Sequence, residues 1–248
     1  MDRNYWEKIA PGYDEEIFDV LYNDKKAIIS KAIRKIGGAN KTVIDAGCAI
    51  GKWLPVLSPL YKEVIAADIS AKNLSIAKAT HASLSNVIYQ RTDLSSAKAR
   101  LPKADTVVCI NAILTDSLKK RNVFFHNLSR WVKKGGHLVL VVPSLESWMF
   151  THIIRQKFDI DKKIFNQKLS PKEASKKYFN ALQGNLDIDN VPTKHYVEEE
   201  LHILLSREGF NIESCRKIEY NWNTEFVNAP KWLKEPKPWD WFCLAKKL

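Results

Sequence analysis

The residues with the clearest chemical potential are an acid and three small residues at alternate positions. They are Asp45, Gly47, Ala49 and Gly51 in Val43-Ile44-Asp45-Ala46-Gly47-Cys48-Ala49-Ile50-Gly51. Glycine permits a sharp turn and lets a ligand approach bare backbone. A helix starting beyond such a turn offers unpaired N–H groups to a polar or anionic group. A tight strand-to-helix connection with no ligand is the competing explanation. Two further acids follow apolar runs. Asp68 lies about twenty residues past the turn, where α/β nucleotide folds place the acid that binds ribose hydroxyls. Its two oxygens can accept both hydroxyls of a vicinal diol, although a helix cap or a surface acid would also place Asp there. Asp93, in Arg91-Thr92-Asp93-Leu94, has the same relation to the next run, and turn chemistry alone would also favour Asp.

These acids can meet only if their strands lie side by side. Runs at 42–46, 63–68, 86–90, 104–111 and 137–143 read as strands, and 104–111 is continuous in apolar residues as a strand buried on both faces must be. Helical spacing lies between them, at 27–36, 70–82 and 117–132, with Phe124, Leu128 and Trp131 on one face of the last. Gly37-Gly38 closes the first of these helices as a left-handed cap would. The helix after the glycine turn is short or kinked, because Pro55 and Pro59 interrupt it. Strand, helix, strand at this spacing means parallel units with right-handed crossovers. From 144 to about 192 the pattern breaks into an aromatic and lysine-rich stretch that reads as mainly helical. His195-Tyr196 then leads a helix stopped by Gly209, and 211–221 and 239–246 read as two closing strands.

Composition narrows the function classes. The chain has 248 residues, 45% hydrophobic and 27% charged, enough for one well-cored α/β domain. The net charge of +11 invites a nucleic-acid partner, but the lysines come in dispersed doublets, as on a solvated surface. Four cysteines without a C-x-x-C pair read as buried reduced thiols, and six scattered histidines form no H-E-x-x-H, so no metal is expected. The longest apolar run, Leu138 to Val142, is too short to span a bilayer. The acid-bearing N-terminal stretch has no apolar core of a secretory signal, so a cytoplasmic location without membrane partners is expected.

The acid-x-Gly-x-small-x-Gly pattern resembles motif I of the class I S-adenosylmethionine-dependent methyltransferases, whose usual form is (D/E)-x-G-x-G-x-G. Ala49 replaces the middle glycine and adds one methyl beside the expected cofactor. W-V-K-K-G-G-H-L-V-L-V resembles that family's R-x-L-K-P-G-G-x-L-x-L stretch, with Lys134 in place of Pro. Y-W-E-K-I-A-P-G-Y-D resembles the lead-in of its small-molecule members, and E-E-L…L-L…E-G-F-N-I their helix before strand six. Together these motifs cover residues 4–248. The resemblance implies an α/β, doubly wound, mainly parallel seven-stranded sheet with a closing antiparallel strand. It implies one domain over 1–248, a helical lead-in or lid at 1–36 and a helical insertion at 144–194 over the active site.

The implied reaction is in-line transfer of the sulfonium methyl of S-adenosylmethionine to a small-molecule acceptor, leaving S-adenosylhomocysteine. Asp45 with the turn of Gly47, Cys48, Ala49 and Gly51 would hold the methionine part, and Asp68 with Ile69 the ribose. Asp93 and Leu94 would meet the adenine, and Asn111 and Ala112 would face the acceptor and offer a carbonyl to the amino group. The aromatic residues Tyr5, Trp6, Tyr13, Trp148 and Tyr196 are expected as acceptor walls. His195 is expected as a base for a hydroxyl acceptor, against the alternative of a capping or partly buried histidine. A short-chain dehydrogenase is disfavoured, since the only Tyr-x-x-x-Lys, Tyr22 to Lys26, precedes the first strand. Asn111-Ala112-Ile113-Leu114 lacks the (D/N)-P-P-(Y/F/W) of methylases acting on base amines. An RNA or protein acceptor, or a non-catalytic cofactor-binding module, are the remaining alternatives.

Overall fold

The computed structural model describes residues 3–13, 17–165, 170–188 and 191–248. Residues 14–16 of the lead-in, and 166–169 and 189–190 of the expected insertion, lie outside the described residues. Strands β1 (Gly38–Ala46), β2 (Tyr61–Asp68), β3 (Val87–Arg91), β4 (Ala104–Ile110) and β5 (Val132–Pro143) run parallel. A separate antiparallel hairpin is formed by β6 (Asn185–Ile188) and β7 (Val191–Lys194). Strands β8 (Phe210–Glu219) and β9 (Trp239–Lys247) close the main sheet, whose order is β3-β2-β1-β4-β5-β9-β8. β9 inserts antiparallel between β5 and β8. The seven-stranded doubly wound sheet expected from the sequence is thus present.

Alternation along each strand builds two cores. Ile44, Ile65, Val107, Leu138 and Leu140 face one layer with helices Leu118–Trp131 and Glu198–Arg207, whose Leu128, Leu201 and Leu205 are fully buried. Val43, Val64, Val108, Val139 and Val141 face the other layer with helix Ile28–Ile36 and helix Ala71–Thr80. Parallel strands covered on both faces read as continuous apolar runs, so these were legible. Only their ends, where the core thins, admit polar residues such as Asp45 and Asp68.

Several local expectations change. Helix Ile28–Ile36 buries Ile29, Ile33 and Ile36. Gly37 after it has φ −63, ordinary extended backbone and not a left-handed cap. The proline-interrupted helix after the glycine turn is the single turn Leu54–Leu57. The stretch 144–194 is not helical throughout, because its last ten residues include the hairpin β6–β7. Helix Leu145–Lys157 packs on the sheet, with Glu146 accepting from Trp241 Nε1 at 3.0 Å and Ser147 from the Trp239 N–H at 2.8 Å. Helix Pro171–Leu182 buries none of its residues. Among the described residues no helix is long and apolar enough to cross a membrane.

Helix Ile28–Ile36, which backs β1, begins unusually. Ala27 stands at its N-cap with φ 52 and no side-chain cap, so the open N–H groups need another acceptor. Asp24 supplies it: its two oxygens accept from the N–H of Ile28 and of Ile29, each at 2.9 Å. Asp24→Ala should therefore cost about 1–2 kcal/mol of stability, as loss of a helix cap does. Urea denaturation measures this, and a change within experimental scatter would refute the assignment.

Candidate functional site

A doubly wound sheet opens a crevice where the strand order reverses, at the carboxyl ends of its inner strands. Here that point lies between β1 and β4, and the loops after both meet there. Gly47, at φ 83, sits so close to the β4 loop that a Cβ on it would fall 2.4 Å from the Ala112 Cβ. Only glycine fits on both counts. Two adjoining cavities share Trp6, Tyr13, Gly47, Ala49, Asn111 and Leu114 as walls.

The first cavity runs outward from this shared wall over the β2 and β3 ends. It is lined by Asp68, Ile69, Asp93, Leu94 and Ala112, by Thr115 in the loop after β4, and by Lys120 and Phe124 of the helix Leu118–Trp131. Asp68 is buried and braces the glycine turn: Oδ2 accepts the Ala49 N–H at 3.0 Å and Oδ1 the Ser70 N–H at 2.8 Å. Burial raises its pKa and these backbone donors oppose the rise. The Asn73 side chain and the Ile69 N–H also oppose the rise through hydrogen bonds, so the carboxylate is well supplied with donors inside the fold. Ser70, not Asp68, caps the following helix, accepting from Asn73 N–H at 3.1 Å. Asp93 is held in a turn by Ser95, whose N–H and hydroxyl donate to Oδ1 at 2.9 and 2.7 Å.

The second cavity extends under the lead-in. Its walls include Tyr5, Ile17, Phe18, Asp45, Cys48 and the hairpin residues Ile188, Val191 and Thr193. Asp45 is 3% exposed, and its Oδ2 has no hydrogen-bond partner. Burial first, then the nearby Asp68 charge, push its pKa up to about 7. An unsatisfied buried carboxylate is costly, and a cationic ligand group is what would satisfy it. Asp19 and Lys52 face the same space as an ion pair at 2.7 Å. Tyr13 lies between the cavities, its phenol pKa raised by burial and by Asp68.

Ala49, where the resembled motif has glycine, adopts φ 46 and lines both cavities. A left-handed conformation costs a non-glycine residue roughly 1–2 kcal/mol. The bond from Ala49 N–H to Asp68 holds it there. Asn111 is likewise left-handed, at φ 47, and its Nδ2 donates to Asp240 Oδ2 at 2.9 Å. Tyr220 donates its hydroxyl to the same oxygen at 3.0 Å, tying the β4 end to the closing strands. Asn111 Oδ1 is buried without a partner.

Four expected site residues are elsewhere. Gly51, at φ 84, packs away from both cavities, where a Cβ would meet Leu54, Ala77 and His81, so its smallness serves packing. His195 and Tyr196 belong to an extended segment threaded behind the loops after β4 and β5. Its backbone bonds run from Lys194 N–H to Leu114 O and from Tyr196 N–H to Pro143 O, both at 2.9 Å. The Tyr196 side chain is fully buried and donates to Ile113 O at 3.0 Å. His195 is 4% exposed with Nδ1 3.0 Å from Thr193 O, and burial lowers its pKa to about 4. It lines neither cavity, so it is not placed to take a proton from a substrate in the cleft. Trp148 stacks on His152 at 3.7 Å instead of facing the cleft. Sequence reasoning missed Asp19, Lys52 and the hairpin walls.

The Asp45 environment has a pH signature. Its folded pKa, about 7, exceeds the unfolded value near 3.9, so the folded chain binds the extra proton between them. Its contribution favours folding most below pH 4 and is lost as pH rises through 7. Asp45→Asn should therefore raise the ligand-free melting temperature at pH 8 by a few degrees, equivalent to about 1–2 kcal/mol. At pH 4 it should change it little. An equal shift at both pH values would sink this account.

A family model described as "Methyltransferase domain" matches residues 20–214. No curated protein matches the chain by sequence. A methyltransferase of Anabaena variabilis is similar in structure at TM-score 0.66 and 15% identity, covering 99% of this chain and 95% of that one. A methyltransferase of Methanosarcina mazei gives 0.60 at 20% identity, over 87% and 96% of the two chains. The N-methyltransferase NodS of Bradyrhizobium japonicum, solved with S-adenosyl-L-homocysteine, gives 0.63 at 13% identity, over 99% and 97%. These likenesses show a common fold, and the match over 20–214, which holds β1 to β5 and the loops after them, places the chain in the methyltransferase domain family.

Proposed function

We propose that the protein transfers the methyl group of S-adenosylmethionine to a small, partly apolar acceptor. The observation that carries this reading is the unpartnered, buried Asp45 beside a glycine cradle that a single Cβ would fill. S-adenosylmethionine presents an ammonium to such a carboxylate and supplies an electrophilic methyl on a sulfonium. Asp45 and the backbone at Gly47 would hold the amino-acid end. Asp68, which lines the first cavity, would accept from the ribose hydroxyls, and Leu94 with Asp93 borders the space for the base. NodS and a magnesium protoporphyrin IX methyltransferase from Synechocystis share the fold with bound S-adenosylhomocysteine, which supports the cofactor assignment.

For the acceptor, the support is the second cavity. Tyr5, Trp6, Phe18, Ile188 and Val191 give it aromatic and aliphatic walls, with the Asp19–Lys52 pair as its polar point. Such a lining suits a small molecule fixed by a few polar contacts. The chain's role is mainly alignment and exclusion of water, since in-line displacement requires little more. His195 takes no part. A soluble aromatic or aliphatic metabolite fits these walls better than an open strand of nucleic acid.

Binding and kinetic experiments test the reading. S-adenosylhomocysteine at about 100 times its dissociation constant should stabilise the protein by about 2.7 kcal/mol, and NAD should not. Asp68→Asn should weaken that binding by about 2 kcal/mol and also lower the ligand-free melting temperature, because one backbone donor loses its acceptor. A clear NAD shift without one from the homocysteine product would overturn the cofactor. Val191→Asp should raise the acceptor KM at least tenfold while product binding by calorimetry stays within twofold. Cofactor affinity that responds to RNA and falls steeply with salt would instead favour a nucleic-acid acceptor.

A further inference from the structure

Away from the cleft, on the edge of the sheet, three side chains with metal-binding atoms converge. Glu198 and His202 lie one turn apart on helix Glu198–Arg207, so they project from one face of it. Cys215 lies on the edge strand β8, against which this helix packs. One ligand atom from each of the three lies within 4.8 Å of the other two. We propose that Glu198, His202 and Cys215 form a binding site for a divalent cation of the zinc type.

The local chemistry favours this over chance proximity. Glu198 and His202 make no side-chain hydrogen bond or ion pair with another described residue, so neither must leave a partner to bind an ion. His202 is exposed, Glu198 and Cys215 are half-buried, and an ion can enter from solvent. The Cys243 thiol on β9 lies 3.2 Å from Cys215 Sγ, in a directly paired register, and can donate to it. A hydrogen bond to the sulfur of a ligating cysteine is a usual support of such sites. In a tetrahedral zinc site, bond lengths of about 2.0–2.3 Å put ligand atoms roughly 3.3–3.8 Å apart. The exposed His202 and half-buried Glu198 side chains need move only by about an ångström to reach that spacing. A thiolate, an imidazole and one carboxylate select zinc or cobalt over magnesium or calcium, which take oxygen ligands. Bound there, the ion would pin the helix to the sheet's free edge. Its ligands come from a helix and the strand after it, which is why no short Cys–His spacing announces them in the sequence.

The test uses the full chain, treated with chelator, kept reduced with a phosphine and titrated with cobalt(II). One equivalent should bind, giving a thiolate-to-cobalt charge-transfer band and tetrahedral visible absorption, both removed by zinc. Cys215→Ser should abolish the charge-transfer band. His202→Gln, at an exposed position, should weaken binding at least tenfold while the metal-free circular-dichroism melt stays unchanged. Zinc should raise the melting temperature of the unsubstituted chain but not of the His202 variant. Absence of the band, or cobalt affinity unchanged in both variants, would overturn the site.

Discussion

The structure depends on one uncomfortable placement: a carboxylate, Asp45, at the end of an inner strand covered on both faces. Its neighbours in register are Ala66 on β2 and Val108 on β4, so neither flanking strand offers it a partner. The nearest charge, Asp68, has the same sign. Everything around the crevice can be seen as holding that group in place. Gly47 allows the β1 loop to lie against Ala112, and Asp68 clamps Ala49 in a left-handed turn. The two cores on either side of the sheet fix β1 itself. Local rules of polar satisfaction and backbone comfort are broken here together, which is where a sequence is expected to place function above stability.

The same physics decides what the sequence made legible. Strands buried on both faces must be apolar throughout, so β1, β2, β4 and β5 stand out. Residues at their carboxyl ends then follow by position, which brings Asp45, Asp68, Leu94 and Asn111 to the cavity walls. Gly51 was misread because glycine answers two demands, ligand approach and close packing, and the pattern cannot tell them apart. His195 and Tyr196 were misread because their burial is set by an extended segment that pairs with loops some fifty to eighty residues earlier, such as Leu114 and Pro143. The period of a helix starting at Glu198 says nothing of such pairings. The hairpin β6–β7 was short enough for its lysine-rich helical surroundings to mask it.

The closing strands matter beyond completing the sheet. By inserting antiparallel between β5 and β8, β9 carries Asp240 to the crevice end of the sheet, beside Pro143 in register. There its carboxylate accepts from both Asn111 and Tyr220, and burial raises its pKa against those two donors. The strained Asn111 is therefore held by a residue 129 positions away. Such a bond cannot be read from local pattern, yet it shapes the wall common to both cavities.

That shared wall also explains how the two halves of the crevice can differ in character. The first cavity is built mainly from strand ends and the turns beside them, where the sheet fixes positions closely. The second is roofed by the lead-in and the hairpin β6–β7, and the hairpin is tied to the segment after β4 through the bridge from Thr193 to Thr115, the Lys194 bond to Leu114 and the Asn185 bonds to Arg121 and Asp116. The hairpin walls Ile188, Val191 and Thr193 border only the second cavity, so changes there would leave the Asp68 and Asp93 end of the first untouched. A binding pocket held by the core and a neighbouring pocket held by appended segments is an arrangement in which one cofactor can serve many acceptors, because the two sets of contacts rest on different parts of the chain.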